Sequence, residues 1–204
     1  MTTSVSLLSR DQIAKLPEGA PEVVEYRKSG LSLNHIQSCP LDCASCIRHT
    51  FGLWDQRVPK ALMSDAEAVE ELITHRYFQP HVRPVQVFNR ATDPFLPAVR
   101  SHTFAVLEDL DERGLTNHVL VITRHQMKLE DIDRLNRLRH IKLTLGVVLA
   151  HDRRFHEARP CLTVMAGPMR EACRVLPASR LCRHQGTVDS VKAGMTACVV
   201  EVVS

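Results

Sequence analysis

Leu31-Ser32-Leu33-Asn34-His35-Ile36-Gln37 runs directly into Ser38-Cys39-Pro40-Leu41-Asp42-Cys43-Ala44-Ser45-Cys46. The first seven residues have the alternation of a strand, and the second stretch is a loop that crowds three cysteines into eight residues. On the N-terminal side, Pro17, Gly19, Pro21 and Gly30 punctuate residues 1–30, which read as an irregular N-terminal extension. On the C-terminal side the chain becomes periodic. Ser64-Asp65-Ala66-Glu67 is a capping box, whose hydroxyl and carboxylate can satisfy the unpaired amides of a helix start. Val69, Leu72, Ile73 and Tyr77 then form one apolar helix face, with Pro80 at the exit.

The unit repeats. Residues 85–88 read as a strand, 89–94 as a turn-rich loop, and Val99, Val106, Leu107 and Leu110 as a helix face closed by Gly114 at its C-cap. Residues 118–123 form the next strand, Leu129, Ile132, Leu135 and Leu138 mark a third helix, and 141–149 a fourth strand. Strands alternating with helices imply an α/β chain with a parallel sheet wound by right-handed crossovers. In such folds sites form where strands end and helices begin. Those places hold the cysteine loop, residues 89–94, Thr123-Arg124-His125 and the stretch around Gly146. The last 54 residues lose this rhythm: residues 151–204 carry one aromatic (Phe155), seven arginines, and Cys161, Cys173, Cys182 and Cys198 without paired spacing. They read as an atypical tail in which only TACVVEVV at the end is strand-like.

Composition narrows the classes. At 204 residues with 44% hydrophobic and 24% charged side chains, the chain is of globular type, neither disordered nor collagen-like. Its longest uncharged apolar run, 143–150, is far short of the roughly 20 residues a membrane span needs. The opening MTTSVSLLSR lacks a charged start followed by an apolar run, so a cytoplasmic, soluble protein without a membrane partner is expected. A net charge of +3 gives a nucleic-acid partner no support.

Three thiolates so closely spaced can converge on one centre. Structural zinc sites want four ligands, and Cys46-x2-His49 would complete a Cys3His set with Cys39 and Cys43. Without His49, three cysteines suit a four-iron cluster with one iron left open; structural thiols are the third reading.

On this triplet, its place after the first strand of the repeat, and the βα units that follow, the chain resembles the radical S-adenosylmethionine (radical SAM) enzymes. The resemblance covers about residues 31–148. Asn89-Arg90-Ala91-Thr92-Asp93-Pro94-Phe95 is similar to the N-x-x-T-D-P-[FY] segment of the spore photoproduct lyase-like subgroup. Thr123-Arg124-His125 is similar to that subgroup's T-K-S, with Arg124 at the lysine position. The resemblance implies a partial parallel (β/α) barrel over residues 31–150. It implies a [4Fe–4S] cluster on Cys39, Cys43 and Cys46, and SAM bound near Thr92, Asp93 and Arg124. It further implies reductive cleavage of SAM to a 5′-deoxyadenosyl radical, with electrons from a donor such as a flavodoxin or ferredoxin. The chain departs from the pattern in three places. Ser45 stands where an aromatic is usual, Gly146 stands where a serine ends the fourth strand, and four βα units are recognisable where the family has six. A shortened relative that assembles a cluster without turnover is therefore a further reading. Beside these, His35 reads as a hydrogen-bonded interior residue, His125 as an exposed loop residue, Asp42 as a turn former, and Trp54 as a cover for the cluster or part of the core.

Spacing alone separates the cysteines into two sets. Anaerobic reconstitution with iron and sulfide is expected to lose the [4Fe–4S] absorption in each of Cys39→Ala, Cys43→Ala and Cys46→Ala. It should be unchanged in Cys161→Ala, Cys173→Ala, Cys182→Ala and Cys198→Ala, and a full cluster spectrum in the triple variant of the first three would refute the assignment.

Overall fold

The computed structural model describes residues 5–41, 43, 46, 48, 57–125, 127–149, 173–176 and 196–201. Its centre is a run of four parallel strands: β3 (Gly30–Leu33), β6 (Val85–Val87), β7 (His118–Thr123) and β8 (Lys142–Leu149). Between them lie α2 (Asp65–Thr74), α3 (Arg100–Glu112) and α4 (Leu129–Leu135), as the periodicity predicts. The four strands stand side by side in chain order, so each crossover steps in the same direction. With right-handed crossovers this winding carries all three helices to one face of the sheet. Val69 and Leu72 of α2, Val106 and Leu107 of α3, and Leu135 of α4 are buried in a common core with Val85, Val119 and Leu145 from the strands.

Local chemistry explains the helix limits. Ser64 Oγ accepts from the Glu67 amide while the Glu67 carboxylate accepts from the Ser64 amide, the capping box read from the sequence. The helix stops at Thr74, ahead of Pro80, and its C-cap His75 turns to extended backbone. Gly114 closes α3 at φ 68°, with its amide on the Asp111 carbonyl.

Three expectations need correction. Residues 31–37 are not one strand: β3 ends at Leu33, and the chain crosses through Asn34 and His35 into β4 (Ile36–Gln37). There it joins a second, three-stranded sheet with β1 (Ser6–Leu7) and β5 (Lys60–Ala61). The crossing is stabilised by the Asn34 amide on the Val23 carbonyl and the Leu62 amide on the His35 carbonyl. Nor is the N-terminal segment irregular throughout: α1 (Arg10–Ile13) has its own capping box, and β2 (Val24–Arg27) pairs antiparallel with β3.

The tail supplies two strands, where only its last residues read as strand-like. β10 (Thr196–Glu201) pairs with β8 antiparallel from Thr144 to Leu149, and β9 (Cys173–Leu176) pairs with β10. The large sheet thus has seven strands in the order β2-β3-β6-β7-β8-β10-β9, a mixed α/β arrangement with antiparallel strands on both flanks. The β-branched run at the terminus supplies the pairing strand, and its ladder satisfies the edge that a bare β8 would expose. Gly146 lies inside β8 opposite Ile122, not at the strand end, and a Cβ there would sit 3.3 Å from the Ile122 side chain.

Gly30 makes a close backbone approach to Pro84. Its φ is 147°, and a Cβ would stand 2.2 Å from the Pro84 carbonyl oxygen, the same oxygen that accepts from the Leu31 amide. Gly30→Ala is therefore expected to cost more than about 2 kcal/mol, through strain and loss of that bond. Gly114→Ala meets open space and only the left-handed penalty, about 1 kcal/mol. Urea midpoints of the two variants should differ in this order; equal midpoints would contradict it.

Candidate functional site

The C-terminal ends of β6 and β7 and the loop after β4 bring three sequence-distant segments together. The cysteine loop follows β4, residues 88–99 follow β6, and Thr123-Arg124-His125 ends β7. Asp93 is the joint. Only 7% exposed, its Oδ1 accepts from the Thr123 hydroxyl at 2.7 Å and the Phe95 amide at 3.0 Å. Its Oδ2 accepts from the Arg124 amide at 2.7 Å. Thr123 Oγ1 in turn accepts from the His125 amide at 3.0 Å, so His125 is half-buried at this rim, where exposure was expected.

The first cysteine reaches the same place. Cys39 is buried, and burial pushes its thiol up. The Leu41 amide and the Arg48 charge work against that rise, the Asp93 carboxylate adds to it, and the Asp93 amide opposes it. The Asp93 backbone therefore lies against the Cys39 sulfur, and the cysteine loop abuts the Thr92-Asp93 turn. Arg48 was not singled out in the sequence. It is 3% exposed, its Nε donates to Cys46 Sγ at 3.4 Å, and its Nη2 donates to the Leu41 carbonyl at 3.2 Å. Its position two residues after the last cysteine is the only signal that could have found it.

The loop is itself partly built: the Cys46 amide donates to the Cys43 carbonyl at 3.0 Å, and none of the three cysteines is in a disulfide. Among the described residues, no group of three or more His, Cys, Asp or Glu side chains is placed to hold a metal ion. Asp42, Ser45, His49 and Trp54 lie outside the described residues, as do Cys161 and Cys182.

Around this rim one further contact fixes geometry. Arg90 grips Glu25 of β2 with Nη2 at 2.9 Å from Oε1 and Nε at 3.3 Å from Oε2, anchoring the loop after β6 to the neighbouring strand pair. Thr92 Oγ1 is buried and has no hydrogen-bond partner among the described residues. Deeper in, His35 is fully buried and hydrogen-bonded, as expected, with Nε2 at 2.8 Å from Asp65 Oδ1. His102 Nδ1 meets the same carboxylate at 2.9 Å, a partnership the sequence did not reveal. Burial would raise Asp65, but the hydrogen bonds and charge of the two histidines hold it below the ordinary aspartate value.

Compared with models of known protein families, with curated proteins and with solved structures, the chain matches none. No helix among the described residues is long and apolar enough to cross a membrane.

The Asp93 carboxylate has a role that its geometry makes testable. Asp93→Asn keeps one acceptor but turns an NH2 toward the Arg124 or Thr123 donor. The expected cost is about 2 kcal/mol. Amide exchange should rise first at Arg124 and Phe95; an unchanged midpoint with full protection at both amides would remove Asp93 from this role.

Proposed function

We propose that the chain is an iron–sulfur enzyme of the radical SAM type, with Cys39, Cys43 and Cys46 holding a [4Fe–4S] cluster and the neighbouring strand ends binding SAM. The observation that carries the reading is the meeting of Cys39 with Asp93. It puts the cysteine loop on the same rim as Thr92 and Arg124. Four parallel strands in chain order are how the wall of a partial (β/α) barrel is wound, which supports that finer reading of the fold.

The residues present suit the pair of cofactors. Arg48, hydrogen-bonded to Cys46 Sγ and acting electrostatically on Cys39, favours the Cys39 thiolate, the form that would ligate iron. The unpartnered Thr92 hydroxyl is a buried donor and acceptor that a polar ligand would satisfy. Asp93, whose oxygens already hold three protein donors, acts by positioning Arg124. The Arg124 cation is the group suited to a ligand carboxylate. When bound, the two cofactors supply one-electron chemistry: reductive opening of the SAM sulfonium to methionine and a 5′-deoxyadenosyl radical that takes hydrogen from substrate. Ligation requires the three sulfurs to draw together, in keeping with sites that form as metal binds. The electron is assigned to a small carrier such as a flavodoxin or ferredoxin.

Anaerobic reconstitution should give a brown protein with iron and acid-labile sulfide. Incubated with SAM and dithionite, it should form 5′-deoxyadenosine. Asp93→Ala should retain iron while binding SAM more weakly by about tenfold, the scale of one lost charge-assisted contact. Colourless protein carrying one zinc, lost in His49→Ala, would replace this reading with a zinc module. A full cluster without any 5′-deoxyadenosine would identify a relative that does not turn over.

A further inference from the structure

A buried guanidinium spans the cysteine loop. Arg48 is almost wholly out of water, a placement that costs several kcal/mol unless acceptors replace the lost hydration. Its Nη2 donates to the Leu41 carbonyl at 3.2 Å, just after the first cysteine, and its Nε donates to the sulfur of the last, Cys46, at 3.4 Å. Two bonds from one planar group, to acceptors on the two halves of the loop, fix where the fork points. The same charge reaches Cys39. Burial raises that thiol most, and among the charges that face it Arg48 opposes the rise more than the Asp93 carboxylate adds to it.

The bond to Cys46 matters because of the atom it lands on. A thiol sulfur is a weak acceptor, so a neutral Cys46 is a poor partner for a buried guanidinium N–H. A metal-bound thiolate sulfur carries negative charge and accepts a charge-assisted bond, roughly twice as strong as a neutral one. On the cluster reading, one-electron reduction adds a further negative charge at this place. An N–H bond to a ligand sulfur and a cation beside it both favour the more negative state, and little water is present to screen them.

We propose, resting on the cluster reading above, that Arg48 sets the reduction potential of the site, raising it through the Nε–H bond to Cys46 Sγ and through its charge beside Cys39. Arg48 acts through the ligand sulfurs, as a positioning residue and not a catalytic one.

The test is a potentiometric titration of the reconstituted full chain with dithionite and mediator dyes, without SAM. The midpoint is read from the electron paramagnetic resonance signal of the reduced cluster. Arg48→Gln is expected to keep the wild-type content of iron and sulfide. Its reduction equilibrium constant should fall about tenfold, which for one electron is a midpoint about 59 mV lower. Arg48→Lys keeps the charge without the Nε–H bond and should fall between the two. Both differences should persist in about 1 M NaCl, where surface charges are screened within roughly 3 Å. A full cluster with the wild-type midpoint in Arg48→Gln would overturn the assignment and leave the cluster reading standing. Should Arg48→Gln not fold, Arg48→Lys decides, a wild-type midpoint counting against the assignment. Loss of iron from both variants with circular dichroism unchanged would also overturn it, because Arg48 would then serve only to build the loop. Wild-type chain that takes up no iron–sulfur cluster would sink the cluster reading and the role of Arg48 with it.

Discussion

A single buried carboxylate holds the rim of the sheet together. Taking an ionised aspartate out of water costs several kcal/mol unless donors replace the lost hydration. Asp93 has three such donors, and they come from both sides of the joint: Phe95 from its own loop, Thr123 and Arg124 from the end of β7. Neither segment can move without leaving the charge uncompensated. Because the Asp93 amide also meets Cys39, the constraint extends to a third segment. The placement of Arg124 and the cysteine loop follows from how this one group is satisfied.

The same device recurs before β8. Asp111, at the end of α3, accepts from the amides of Arg139, His140 and Ile141 at 3.0, 2.6 and 3.0 Å. Burial would raise its pKa, but the three amides and the nearby His140 hold it below the ordinary value. The turn into the fourth parallel strand is thus fixed by side chain to backbone bonds, and β8 enters the sheet in register beside β7. At Gly30 the constraint is steric instead, with Pro84 packed where a side chain would be. Carboxylates fix the loops and backbone contact fixes the strand entry.

Much of this architecture was legible in the sequence because it is local. The capping box at Ser64, the glycine stop at Gly114 and the β-branched run of His118–Thr123 each follow from residues within a few positions of one another. What escaped depends on partners far along the chain. Nothing in Val24–Arg27 says that it will pair with β3, and nothing in Thr196–Glu201 says that it will cover β8. The strand signal of 31–37 is continuous, yet the chain changes sheets at Asn34 because bonds from distant segments take over its backbone. At the site, Thr92, Asp93, Arg124 and Cys39 could be picked out by motif, but that Asp93 serves Arg124's backbone could not. Arg48 and His102 carry no motif and appear only once their partners at Cys46 and Asp65 are in place.

Cys39 and Arg48 together set the terms on which the loop can act. Burial favours the neutral thiol at Cys39, whereas a metal or cluster takes the thiolate. Binding there therefore releases a proton, and its strength rises with pH until the thiol is ionised in the folded chain. Arg48 lowers that barrier at Cys39, while its Nε also donates to Cys46 Sγ. One guanidinium cannot neutralise three thiolates, so on the proposed cluster reading the convergence of Cys39, Cys43 and Cys46 would be driven by the positive charge of the iron they bind. The fold then supplies the place and part of the charge, and the proposed cluster the rest.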